Sequence, residues 1–515
     1  MAAPSEKLAE SLAVLKAIQD QGRAAIRASE LTRTHRERLL KNGFIREVMK
    51  GWYVPSRPDE PTGESTSWYA SFWGFCAAYL TERFGDDWCL SPEQSLSIHT
   101  GNWSVPKQLL VRAPKGGNKP TGLLFYTSIF DVRLALPSKE DMETKDGLRI
   151  FTLPASLIGC SSSHFTARPI EMRAGLAMVQ DASDVLNRLL TGGRSIVAAR
   201  LAGAMRNIGR DQIADNIVQT MQAAGYTVSE SDPFEDSAPI TFSARETSPH
   251  VNRMRMNWAR MREDVLKIFP DAPGLAKSAA SYLKQVDEVY VSDAYNSLSI
   301  EGYKVSADLI ERVRSGKWNP DSIKGDQDHR NALAARGYWQ AFQSVRQSIE
   351  KVLREDNAGK VAGKVAGKVA GKDHVTWYRE LFAPSVAAGI LKPADLAGYR
   401  NGAVFIRRSM HVPPSMEAVR DLMPTFFDLL EEESEPAVRV VLGHFMFVYI
   451  HPYFDGNGRM GRFLMNVMFA SGGYPWTIVP LERRNDYMTA LESASVGEDI
   501  KPFAKFLAGL VGKKI

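Results

Sequence analysis

Apolar residues recur at helical spacing at the start of the chain, at Leu8, Leu12, Leu15 and Ile18. Ser29 and Thr34 stand as helix caps, the latter with Glu37 three residues on, and residues 44–54 alternate apolar and polar about Lys50-Gly51. The order predicted is helix, helix, helix and a hairpin wing over residues 1–55. A strand-like run at Gln108–Arg112 places residues 56–235 in the α+β class, and Ser229–Pro249, rich in Ser, Pro and acids, reads as a boundary. Beyond it the period is helical. Tyr282, Val286, Val289 and Tyr290 share one stripe, residues 339–353 and 374–382 continue the pattern, and Phe445–Ile450 is an unbroken apolar run that reads as a buried helix. The chain is therefore expected to be multidomain, with an α+β N-terminal half that begins with a winged helix-turn-helix and a mainly α C-terminal half from about 246 to 515.

One segment interrupts that reading. Residues 358–372 form a threefold Gly-Lys-Val-Ala repeat, whose glycines and like charges predict a flexible insertion between helical segments at 246–355 and 374–515. Its Gly-Lys pairs do not make a phosphate-binding loop, because the spacing is one residue short and no Ser or Thr follows the lysine.

Composition narrows the class without naming a function. A chain of 515 residues is long for one core, and 44% hydrophobic with 24% charged residues is ordinary for a water-soluble protein. A net charge of +5 argues for no global field toward nucleic acid or membrane. The three cysteines, Cys76, Cys89 and Cys160, are unclustered and read as thiols in a reducing cytoplasm. No stretch approaches the length of a membrane span and the N-terminus lacks an apolar leader core, so a cytoplasmic protein is expected.

The chemistry concentrates in His451–Arg462, HPYFDGNGRMGR. His451 ends the apolar run and can accept a proton at a pocket mouth. Gly456-Asn457-Gly458 permits converging backbone amides at the start of a helix, where phosphate is favoured. Asp455 is a hard oxygen ligand suited to Mg²⁺, and Arg459 and Arg462, three apart, can fork onto phosphate oxygens. This string resembles the signature of the Fic family, H-P-[FY]-x-[DE]-G-N-G-R-x-x-R, at every defined position. The resemblance implies His451 as general base, Asp455 as the Mg²⁺ ligand, and Gly456, Asn457, Gly458, Arg459 and Arg462 around the phosphates of ATP. The implied reaction moves AMP to a Ser, Thr or Tyr hydroxyl of a protein, the chain itself included. Nothing in the phosphate motif reads the base, so UMP or another phosphate-bearing group stays open.

Ser297-Leu298-Ser299-Ile300-Glu301-Gly302 resembles the Fic inhibitory motif, [ST]-x-x-x-E-[GN]. It implies that Glu301 competes with the γ-phosphate for Arg462, with Ser297 and Gly302 framing it. Such a glutamate also serves AMP removal in some relatives, so the direction of reaction stays open. Tyr399-Arg400 through His411-Val412-Pro413-Pro414 resembles the Fic flap, an extended hairpin that pins a target backbone. Arg483 through Tyr487 and Leu491 resembles the helices closing the nucleoside side, which adds Tyr487 to the nucleotide-binding set.

Residues 1–55 hold ten Lys or Arg against six Asp or Glu. Together with the ending Lys41–Ile45 and Gly51–Pro55 they resemble the winged helix-turn-helix of AbiEi-type antitoxins and related regulators, the likeness running loosely to about 235. Arg33, Arg36, Arg38, Lys41, Arg46 and Lys50 would then face DNA phosphates. The alternative to a protein-modifying enzyme is a DNA-binding regulator or antitoxin whose C-terminal half senses ATP or modifies itself. Oligomeric state is not legible.

Overall fold

The computed structural model describes residues 4–60, 63–236, 248–276, 278–318, 329–356 and 362–511. Two compact units divide the chain, one comprising residues 1–253 with 405–412, the other residues 254–404 with 413–515. Residues 237–247 of the expected linker lie outside the described residues.

The first unit opens with helix α1 (Pro4–Gln19), strand β1 (Ile26–Arg27), helix α2 (Arg33–Lys41) and the hairpin β2 (Ile45–Met49) and β3 (Trp52–Pro55). The strands form an antiparallel sheet in the order β1-β3-β2, over a small core of Leu15, Ile18, Ile26, Leu31, Leu39, Ile45 and Tyr53. The wing forms where the alternation placed it. The middle helix does not. Ile26-Arg27 pairs with Trp52-Tyr53, Leu31 is buried and Thr32 accepts from the His35 amide as the N-cap of α2. Only a single 3-10 turn, Ala28–Glu30, fits between them, and Ser29 and Thr34 are not caps.

Next come α3 (Thr66–Phe84), β4 (Cys89–Leu90), α4 (Pro92–His99), β5 (Gln108–Ala113), β6 (Pro120–Gly122), β7 (Ser128–Arg133) and the pair β8 (Met142–Lys145) and β9 (Leu148–Phe151). The four-stranded sheet runs β4-β5-β7-β6, with β5 and β7 parallel. Its alternate residues Leu109, Val111 and Ile129 bury against the aromatic face of α3, at Trp68, Phe72 and Phe75. Six helices complete this unit: α5 (Leu153–Gly159), α6 (Ser162–Ala167), α7 (Pro169–Ala177), α8 (Ser183–Thr191), α9 (Ser195–Asn207) and α10 (Asp211–Ala223). Cys76, Cys89 and Cys160 are buried and unpaired.

The second unit is helical. After α11 (Pro249–Ile268) come α12 (Ala279–Ile300), α13 (Ala307–Arg314), α14 (His329–Asp356), α15 (Ala362–Ala387), α16 (Met416–Glu432), α17 (Pro436–Ile450), α18 (Asn457–Gly472), α19 (Arg484–Gly497) and α20 (Lys501–Ala508). No helix among the described residues is long and apolar enough to cross a membrane.

Two expectations fail here. From Ala362 on, the Gly-Lys-Val-Ala repeat is not a flexible insertion but the first turns of α15. A four-residue period lies close to the 3.6 of an α-helix, so Val365, Ala366, Val369 and Ala370 fall on one buried stripe while Lys364, Lys368 and Lys372 stay in solvent. Its glycines permit close packing: a Cβ on Gly367 would stand 2.7 Å from the Glu431 amide nitrogen of α16. The flap is likewise not a hydrogen-bonded hairpin, since residues 401–414 contain no strand. Prolines 413 and 414 lack ladder donors, and the chain turns at Arg408, whose φ is +61°. Within the first unit this segment is held by the Val105 amide donating to the Met410 carbonyl at 2.8 Å and by Arg407 donating to Glu64 at 2.6 Å.

Candidate active site

The site is built where α17 ends and α18 begins. α17 is buried along nearly its whole length, so its C-terminus is fixed, and His451 caps it in the left-handed conformation at φ +53°. That backbone is uncommon for a residue with a Cβ, and here the His451 amide still donates to Phe447 at 3.0 Å. The ring's Nδ1 lies 3.1 Å from the Val448 carbonyl, which can only accept, so Nδ1 carries the proton and Nε2 keeps its lone pair. Burial, helped by the charge of Arg400, pushes the imidazole down to about 4 and keeps it neutral at physiological pH.

The turn after His451 is tied to itself. Asn457 is buried, accepts from the Tyr453 amide at 2.9 Å and donates to the Tyr453 carbonyl at 2.7 Å. Its side-chain oxygen and nitrogen are both taken by Tyr453, so the side chain shapes the loop. Gly456, at φ +81°, has no room for a Cβ, which would lie 2.8 Å from Phe382. Its amide donates to the Asp455 carboxylate at 2.6 Å, which leaves the amides that follow, at the first turn of α18, to meet an anion.

Arg459 and Arg462 rise from that turn almost fully buried. The Arg459 guanidinium lies between the rings of Tyr303 and Phe382, 5.2 and 5.1 Å from their centroids, and 3.4 Å from Asp455. Arg462 donates to the Ser297 hydroxyl at 2.9 Å, to the Ser297 carbonyl at 3.0 Å and to Glu301 at 2.7 Å. A Cβ on Gly458 would meet the Glu301 Oε1 at 2.3 Å, so the carboxylate lies directly over the start of α18. Burial alone would raise the Glu301 carboxyl, but the charges of Arg462 and Arg459 outweigh it and hold it below the usual range. Glu301 thus occupies the place an anionic ligand would take.

Tyr487 is buried, with its hydroxyl 2.7 Å from His444 Nε2, and burial raises it to about 12 despite the facing charge of Arg462. Asp455 is 67% exposed. One exposed carboxylate suits Mg²⁺, which commonly takes one or two from protein and the rest from phosphates and water. Among the described residues no cluster of three metal-ligating side chains exists.

Three features escaped the sequence reading. Arg400, buried, donates to the carbonyls of His451 at 2.8 Å, Gly402 at 2.9 Å and Pro414, fastening the turn at His451 to both ends of residues 401–414. Asp293, one helical turn before Ser297, accepts from Tyr338 at 2.6 Å and Trp476 at 3.0 Å, and burial raises it to about 6. Its four-residue spacing from Ser297 was the available signal. Asn331 accepts from the Lys304 amide at 3.1 Å and fixes the turn after Glu301.

The winged region places its basic residues unevenly. Arg33, Lys41 and Lys50 are exposed, Arg33 beside Glu37 at 2.7 Å. Arg36 donates to the Ala28 carbonyl at 3.3 Å, and Arg38 turns inward to the Lys7 carbonyl and, at 2.8 Å, to Ser11 of α1. Arg46 donates to the Glu64 carbonyl at 2.9 Å. Arg38 and Arg46 are thus committed to packing this unit, not free for phosphate.

Residues 375–469 match the Fic/DOC family. The chain is 40% identical over 124 residues to a protein of Nematostella vectensis named protein adenylyltransferase Fic, covering 23% of this chain and 28% of that one. It is 27% identical over 289 residues to the protein of that name from Drosophila erecta, covering 54% and 52%. Fic-1 of C. elegans, a solved structure, aligns at 19% identity and a TM-score of 0.36 over 63% of this chain and 88% of that one. The chain thus spans between about a quarter and a half of these two curated relatives' length. The segment that holds His451, Asp455 and both arginines is a Fic domain.

Proposed function

We propose that this protein is a self-inhibited adenylyltransferase that moves AMP from ATP to a hydroxyl of a protein, itself included. The observation that carries the reading is the Glu301 carboxylate held on Arg462 above the start of α18, in the same site as a neutral histidine with its Nε2 lone pair available. The target hydroxyl gives its proton to His451 Nε2 as its oxygen bonds to the α-phosphorus, and the bond to pyrophosphate breaks. Amides at the head of α18, with Arg459 and Arg462, neutralise the phosphates, and Glu301 must leave Arg462 for the terminal phosphate to reach it. Asp455 would hold Mg²⁺, which would neutralise phosphate charge when bound. The names of the relatives support AMP as the transferred group, and the buried unpaired cysteines fit a reducing cytoplasm.

His451→Ala is expected to abolish labelling of protein by ATP radiolabelled at the α-phosphate while ATP binding persists. Labelling at the wild-type rate would refute the assignment.

A second reading rests on the exposed basic residues of the winged region. Arg33, Lys41 and Lys50, with Arg36 beside them, would contact DNA phosphates, and the Fic half would then sense ATP or modify the chain. A gel shift of the full chain across a salt series tests it, and absence of binding at low salt rejects it.

A further inference from the structure

Immediately after Glu301 the chain turns through Gly302, at φ +88°, and runs along a cavity of about 360 Å³. Glu301, Tyr303, Lys304, Arg330, Asn331 and Asp455 line it. That volume is at the lower end of ligand pockets. The lining holds two cations, Lys304 and Arg330, and two carboxylates, Glu301 and Asp455. Glu301 is held by Arg462 and Asp455 lies by Arg459, whereas Lys304 and Arg330 have no carboxylate within ion-pair distance among the described residues. The two are braced by neighbours of the catalytic turn. The Lys304 amide is fixed by Asn331, which follows Arg330 on α14, and the Arg330 guanidinium lies 5.8 Å from the centroid of the Tyr303 ring against which Arg459 also stacks.

These positions bear on a difficulty in the proposed function, on which this inference rests. While Glu301 occupies Arg462, a terminal phosphate meets a carboxylate where it needs a cation. We infer that the cavity is a second site for that phosphate: Lys304 and Arg330 hold the end of the triphosphate chain, so that the nucleotide binds while Glu301 keeps Arg462. When Glu301 leaves, the terminal phosphate moves to Arg462 and dependence on Lys304 and Arg330 falls. The ligand class is a polyphosphate chain, and the specificity is for the number of phosphates, not for the base.

The test measures binding of ATP, ADP, AMP and inorganic tripolyphosphate to the full-length protein, without added divalent cation. It uses wild type, Lys304→Ala with Arg330→Ala, the charge-keeping Lys304→Arg with Arg330→Lys, and the alanine pair combined with Glu301→Gly. The alanine pair is expected to weaken ATP and tripolyphosphate about tenfold and to leave AMP unchanged. The charge-keeping pair restores most of the loss, and the Glu301→Gly background shrinks it to about twofold. Equal weakening of ATP and AMP, or unchanged ATP affinity at an unchanged melting temperature, overturns the inference. If tripolyphosphate responds as expected while Glu301→Gly protein transfers no label, the site stands and the proposed activity falls.

Discussion

Replacing Glu301 with glycine removes the contact on which the proposed inhibition turns, and the structure gives its size. The carboxylate is 2.7 Å from a guanidinium that is only 4% exposed, while its own side chain is 29% exposed. At an effective dielectric of about 20, opposite charges 4 Å apart attract by about 4 kcal/mol, and partial solvation of Glu301 brings the net value nearer about 2–3 kcal/mol. If this pair must open before ATP reaches its reactive position, the competent fraction of the wild type is on the order of one in a hundred. Glu301→Gly should therefore raise the initial rate of protein labelling from α-labelled ATP by about 30- to 100-fold. The same change strands a buried guanidinium, so the variant without nucleotide should melt lower than wild type, with ATP raising its melting temperature by more than it raises the wild type's. A labelling rate within about twofold of wild type would refute the lock, and a rise in rate without the apo destabilisation would refute its electrostatic origin.

Arg400→Ala leaves three backbone carbonyls without their donor and should cost about 2–4 kcal/mol in denaturant melts and lower transfer as His451 shifts, whereas a purely surface role would leave both unchanged. Gly367→Ala should destabilise by about 1–3 kcal/mol through its clash with the Glu431 backbone, while Lys368→Ala in the same repeat stays within about 0.5 kcal/mol; equal effects would reject the helical packing of the repeat. His374, His444 and His451 are all pushed down to about 4, below the ordinary value near 6.5. A depressed folded pKa means stability is complete above about 6.5 and is lost as pH falls toward 4, so urea midpoints should drop between pH 6.5 and 4.5. His444→Gln should make that decline shallower by about one proton, and an identical slope would contradict the burial of His444. In the winged region, Arg38→Ala should lower thermal stability by severing its ties to Lys7 and Ser11, whereas Arg33→Ala should not; the reverse order in melting experiments would mean the inward placement is wrong.

Local chemistry was legible wherever neighbours in sequence supply each other's partners. The turn from His451 to Arg462 closes within itself, Asn457 bonding Tyr453 in both directions and Gly456 taking a backbone its neighbours resist, so its residue types announced its shape. The wing, two short strands joined at a Lys-Gly turn, was equally local, although a register irregularity between Glu47 and Met49 breaks its alternation. The Gly-Lys-Val-Ala repeat shows where local reasoning gives out. Its glycines argue for a loop, and burial of its valine and alanine stripe, with α16 close enough to need glycine at 367, decides for a helix. The same holds for Arg38 and Arg400, whose partners are distant in sequence and could not be read from charge alone.

The sequence by itself determined that an imidazole, a carboxylate, an anion-binding turn and two arginines would lie together, because twelve consecutive residues cannot separate far. The motif at Ser297–Gly302 already pointed Glu301 at Arg462, 161 positions later, and tertiary structure supplied the contact; it alone decided that Lys304 and Arg330 line the cavity beside it. A motif fixes what a chain can do at one place. Which charges meet there depends on how helices pack, since an ion pair between α18 and the end of α12 exists only once apolar burial has brought them within about 3 Å.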